Sequence, residues 1–251
     1  MNIGATECVA LAILFRTTST RLHSLDLDKN RIDDEGVDVL VDALTNSRLR
    51  KLDLSSNRRI TARGCQRLAT MLENTNSNLE ELHLNDNNMG NEVALIFASA
   101  LARNSKLTQL FLDGNDITAE GWSAFSKVLC DTSSVNKTFL SNHKLGSLAD
   151  HGAHQKIVPD SVRSLLALNW ISEDKRQVAI KKILKYHKHF DMHPFFEWDL
   201  KVLPIAVDWF ERARSIETNN DEGIGNHKLG AIYQFIRAMP EVFEEAPATG
   251  E

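Results

Sequence analysis

Five segments with one shared spacing constrain this chain more than anything else in it. LHSLDLDKNRIDDEGVDVLVDAL starts at Leu22, LRKLDLSSNRRITARGCQRLATML at Leu49, LEELHLNDNNMGNEVALIFASAL at Leu79 and LTQLFLDGNDITAEGWSAFSKVL at Leu107. A degenerate copy, VNKTFLSNHKL, starts at Val135. Successive starts lie 27, 30, 28 and 28 residues apart. That is the period of a solenoid, whose units bury their apolar faces only by stacking on one another.

Each position in the repeat has a physical role. The alternation Leu25-Asp26-Leu27 is that of a strand with one buried face, so the leucines point inward and Asp26 outward. Asn30, Asn57, Asn87 and Asn115 close the strands as a structural ladder. An amide carries both a donor and an acceptor and can satisfy turn backbone groups buried between coils. Ile32, Ile60, Met89 and Ile117 then anchor the turn inside. A helix follows, with apolar pairs four apart: Leu40/Leu44, Leu68/Leu72, Phe97/Leu101 and Phe125/Leu129. Gly36, Gly64 and Gly121 share one column, where a helix comes close to its neighbour. Val93 fills that column in the third copy, and looser packing is expected there.

These residues resemble the leucine-rich repeat family in its ribonuclease-inhibitor-like class, over residues 1–145. The resemblance implies an α/β solenoid with parallel strands on the concave face and helices on the convex one. It also implies protein binding as the usual work, although fold alone does not establish function. Four clear repeats are flanked by partial ones. Residues 4–16 read as the helix half of a coil, from a truncated chain or an atypical first coil. At the other end Thr138 stands where leucine belongs and His143 where asparagine belongs, the pattern of an array giving way to a cap.

On that fold the outward strand positions form rows. The middle row runs Asp26, Asp53, His83, Phe111, Phe139; the row after it Asp28, Ser55, Asn85, Asp113, Ser141; the row before it Ser24, Lys51, Glu81, Gln109, Lys137. One end is acidic, and the other presents two phenylalanines, to be covered either by a partner or by the C-terminal segment. Asp26, Asp28, Asp53, Glu81, His83, Asp113, Phe111 and Phe139 are the candidate partner-binding residues, with carboxylates steering a basic protein and aromatics anchoring it. His83 beside Asp53 has the look of a base–carboxylate pair, but no activated nucleophile accompanies it. On the convex side, Glu35, Arg63, Glu92 and Glu120 share one repeat position and suggest a weak surface ladder of ion pairs.

Past Ser141 the period is lost. Residues 146–243 read as a helical capping domain, with a loop over 146–158 and helices at 160–170, from Ser172 to about Lys188, at 204–215 and at 227–239. Residues 244–251 read as a mobile tail. The segments HPFFEWDLKVLPIAVDWFERAR and IYQFIRAMP are similar to the C-terminal extension of repeat proteins in diatoms and related algae, which implies a lineage rather than an activity. His187, His189, Asp191 and His193 are the one candidate metal cluster. Their setting at a helix end, without a cysteine or a HExxH pattern, favours a solvated terminus, so no metal or cofactor is expected.

Composition narrows the rest. With 29 basic and 34 acidic residues among 251, the net charge is −5, which disfavours a nucleic-acid partner. Cys8, Cys65 and Cys130 are odd in number and far apart, which fits a reduced compartment. No apolar run is long enough for a membrane span, and CVALAILF (8–15) lacks the basic flank and cleavage site of a signal peptide, so an intracellular, cytoplasmic protein is expected. The leading expectation is a non-enzymatic module that binds a protein on its concave face. The repeat also resembles that of Ran GTPase-activating proteins, which implies a small GTPase as the alternative partner, though those proteins have many more coils and a long acidic tail. A cytoskeletal scaffold is the third reading.

Overall fold

The computed structural model describes residues 2–17, 22–149, 158–170 and 174–187. Their elements run α1 (Ala5–Thr17), β1 (Ser24–Asp26), α2 (Asp34–Leu44), β2 (Lys51–Asp53), α3 (Ala62–Glu73), β3 (Glu81–His83), α4 (Asn91–Leu101), β4 (Gln109–Phe111), α5 (Ala119–Leu129), α6 (Val135–Phe139), α7 (Asp160–Trp170) and α8 (Lys175–Tyr186). The chain separates into two compact units, Met1–Ala179 and Ile180–Glu251, and the array lies in the first. Residues 146–179, expected to open a separate cap, belong to that same unit. Of the second unit, only 180–187 are described, the end of α8 followed by His187.

The four strands form one parallel sheet in sequence order, with Leu25, Leu52, Leu82 and Leu110 directly opposite one another. Leu52, Leu82 and Leu110 are buried, as are Leu27, Leu54, Leu84 and Leu112 two residues on; Leu25, on the edge strand, is half-buried. The helices supply the other wall of the core through Leu40, Leu68, Phe97 and Phe125. Three-residue strands cannot hold such a sheet by ladder bonds alone. The stacking of apolar coils holds it, at about 25 cal/mol per Å² of apolar surface removed from water.

The asparagines join coil to coil through hydrogen bonds. Asn57 accepts from the Ile32 N–H at 3.0 Å, and its amide donates to the carbonyls of Leu27, Leu54 and Ser55. Asn115 repeats this two strands further, accepting from Asn87 and Met89 N–H and donating to the Leu84 and Leu112 carbonyls. The residue before each asparagine is left-handed: Lys29, Ser56, Asp86 and Gly114 have φ of 55°, 57°, 56° and 65°. Only the last is a glycine. A Cβ there would lie 2.0 Å from the Asp86 Oδ1, so that coil has no room for a side chain.

The glycine column has a specific cause. Asp34, the first residue of α2, reaches across to the next coil and accepts from the Thr61 and Gly64 N–H groups and the Thr61 hydroxyl. A Cβ on Gly64 would lie 2.5 Å from that carboxylate. Asn91 makes the same reach to Thr118, and a Cβ on Gly121 would meet it at 2.4 Å. The equivalent position before Val93 is Ala62, which has no side chain to reach with. Val93 is accordingly buried at 2% exposure, in the column where the other coils carry glycine.

The fifth coil departs from expectation. Val135–Phe139 is the short helix α6, capped by the Ser134 hydroxyl, and not a strand. The fifth rung comes later, where Ser147 bridges to Gln109 in parallel and the Leu110 N–H donates to the Ser147 carbonyl. Its leucines are Leu145 and Leu148, both buried. The supposed loop at 146–158 therefore begins as a strand rung, and α7 takes the place of the fifth convex helix, burying Val162, Leu165 and Leu166 in the common core. A second set of asparagines holds this edge. Asn104 Oδ1 accepts from the Lys106 and Leu107 N–H groups, and Asn142 Oδ1 accepts from those of Lys144 and Leu145. Helix α7 matches the expected 160–170. In α8 the Asp174 carboxylate accepts from the Arg176 N–H at the first turn. Ser172, expected to cap that helix, lies outside the described residues, as do the helices expected at 204–215 and 227–239 and the tail.

Candidate functional site

Because the strands pair without slip, side chains far apart in sequence become neighbours: Ser24, Lys51, Glu81 and Gln109 in one row, and Asp26, Asp53, His83 and Phe111 in the next. The fifth rung extends the first row with Ser147; beyond it the regular register ends, since the Leu112 N–H donates to the Leu148 carbonyl and not to that of Ala149. Phe139, expected in the middle row, lies on α6 and drops out; so do Lys137 on the same helix and Ser141 just beyond it. The strip of two exposed phenylalanines is therefore not present. Phe111 itself is 6% exposed and packs edge-to-face on His83, with ring centroids 4.5 Å apart.

The centre of the face is a small charge network. His83 Nδ1 lies 3.4 Å from Asp53, and its Nε2 lies 3.6 Å from Glu81. Lys51 pairs with the same Glu81 at 3.4 Å. Burial pushes the Asp53 carboxyl up, but hydrogen bonds from His83 and from Ser55 outweigh it and hold the group down to about 2. Asp53 is thus a fixed anion that holds the imidazole from the Nδ1 side, while the buried Nε2 lies near Glu81 without a hydrogen bond to it. Asp26 is exposed and Asp28 half-buried, with its carboxylate 2.8 Å from Lys29; Asp113 is buried at 6% exposure. The face is a negative arc with one histidine and one lysine set into it, suited to receiving a cationic surface.

On the convex side, Arg63 pairs with Asp38 at 2.9 Å and not with Glu35 or Glu92, while Arg67 joins Asp38 to Asp42 at 2.9 and 2.8 Å. Among the described residues no cluster of histidine, cysteine and carboxylate could hold a metal, and no helix is long and apolar enough to cross a membrane. His187 follows the last residue of α8; the other members of the suspected metal cluster, His189, Asp191 and His193, lie outside the described residues.

Comparison with known proteins agrees with this architecture. The family model described as Leucine Rich repeat matches residues 18–41, 45–69, 75–92 and 103–126, one match per coil of β1–β4. The human NACHT, LRR and PYD domains-containing protein 5 is 47% identical over 78 residues, which is 30% of this chain and 6% of that protein's length. Among solved structures, the leiomodin-1 actin-binding site 2 aligns over 71% of this chain and 95% of its own at 18% identity, with a TM-score of 0.50. The tropomodulin C-terminal domain of Caenorhabditis elegans aligns over 66% and 93% at 16% identity and 0.49. The in-register leucines, the asparagine ladder and the four family matches lead to one conclusion: residues 18–126 form an array of leucine-rich repeats.

Proposed function

We propose that this protein is a non-enzymatic interaction module that holds a basic protein surface against its concave face. The observation that carries the reading is the acidic pairing Asp26–Asp53 in adjacent register, continued by Glu81 and His83. Like charges directly opposite on neighbouring strands are unfavourable in the free protein. A cationic partner relieves that repulsion on binding. Asp26, Asp28, Asp53, Glu81 and His83 make the contact, while Phe111 braces His83 from the neighbouring strand; Phe139 has no part in it. Capture from cell extract, with wild type and Asp26→Lys/Asp53→Lys compared by quantitative mass spectrometry, tests this. One or a few basic proteins lost from the variant support the reading. An identical retained set refutes it.

A cytoskeletal scaffold is the second reading, prompted by the actin-binding site named for the leiomodin-1 fragment. That likeness at 18% identity carries the fold, and co-sedimentation with actin filaments supplies the direct test.

A further inference from the structure

The edge at which the chain enters each strand has the opposite charge character from the concave rows. Here a cleft of about 480 Å³ is lined by His23, Arg48, Arg50, Asn78, Glu80 and Lys106. Two columns build it. Arg48, Asn78 and Lys106 precede the first leucine of successive coils; His23, Arg50 and Glu80 follow it. The backbone ties them rung to rung: the Arg50 N–H donates to the His23 carbonyl, that of Glu80 to Arg50, and that of Thr108 to Glu80. Asn78 is oriented by its amide donating to the Ser47 carbonyl at 3.0 Å.

Three permanent cations therefore face one carboxylate, and that carboxylate stands 3.7 Å from Arg50. Arg48 and Lys106 are exposed and make no ion pair among the described residues. The cations are not packed around a point. Arg48 and Lys106 sit two strands apart, about 10 Å at the usual strand spacing, with the polar Asn78 and the anionic Glu80 between them. A compact anion such as phosphate cannot bridge that distance and would meet Glu80 if centred. An extended polypeptide presents same-face carboxylates two or four residues apart, about 7 or 13 Å, a spacing that brackets the two ends and leaves the middle to Asn78.

We infer that this cleft is a second binding site, specific for an acidic, extended peptide segment that Arg48 and Lys106 grip at two points. It uses different residues from the concave rows and does not depend on whether those rows bind anything. The probe is a fluorescein-labelled hexaglutamate peptide, titrated with the full chain by fluorescence anisotropy at low salt. Binding is expected to weaken at least about tenfold in Arg48→Glu/Lys106→Glu and to strengthen in Glu80→Gln. It should be unchanged in Arg58→Glu/Arg59→Glu, which alters exposed arginines elsewhere, and not weakened in Asp26→Lys/Asp53→Lys. No binding by wild type, equal binding by the Arg48/Lys106 variant, or displacement by inorganic phosphate as effective as by free hexaglutamate would each overturn the assignment.

Discussion

Asn57 shows how much one side chain carries in this fold. Its amide meets four backbone groups from two coils and is fully buried, so removal leaves buried donors and acceptors without partners. Asn57→Ala is expected to cost about 2–4 kcal/mol in urea unfolding with little change in slope, and Asn30→Ala, at the half-buried end of the ladder, clearly less. The ladder was legible because asparagine recurs at a fixed place in four copies. The burial of Phe111 was only one of two alternatives, because nothing in a strand's alternation says what packs over its outward side. Asp53 gives the second residue-scale prediction. Its folded pKa of about 2 lies below its ordinary 3.8, so it adds stability that is fully present above about 4 and disappears as pH falls to about 2. Asp53→Asn should flatten the acid limb of a stability–pH curve over that window. An unchanged limb would mean the His83 and Ser55 bonds do not hold the carboxylate as described.

At the scale of elements, coils are joined by side chains that cap a neighbour's helix. Asp34 caps the start of α3 from the preceding coil, and Gly64 is the space that this reach requires. Gly64→Ala is expected to cost about 1–3 kcal/mol, and much of that cost should vanish when Asp34→Ala is added. Strict additivity in the double-mutant cycle would contradict the steric account. The natural pairing of Ala62 with Val93 is the same exchange already made. Burial also raises the thiols of Cys65 and Cys8, to about 12 and about 11, so neither should react with iodoacetamide at mildly alkaline pH until the array unfolds. The first four coils could be read from spacing alone. The fifth was misplaced because α6 and its flanking turns lengthen the interval, so a fixed period landed on Val135. The better signal was Asn104-Ser-Lys-Leu107 repeated as Asn142-His-Lys-Leu145, since that asparagine orders the backbone entering the strand in both coils.

For the whole molecule, the solenoid turns a modest net charge of −5 into local contrast. Repetition places carboxylates in adjacent rows on the concave face and cations along the strand-entry edge. Composition showed only the sum; the rows on β1–β4 followed once the repeat register was known, whereas the basic edge needed the rung-to-rung backbone bonds that bring Arg50 beside Glu80. The most direct test of the central claim is the association rate of the captured basic partner onto wild type and onto Asp26→Lys/Asp53→Lys, measured at low and at moderate salt with folding checked by circular dichroism. Steering by the acidic rows predicts a wild-type rate that falls with salt and a variant rate about tenfold slower at low salt, with the two converging as screening sets in. Equal rates at low salt would contradict it.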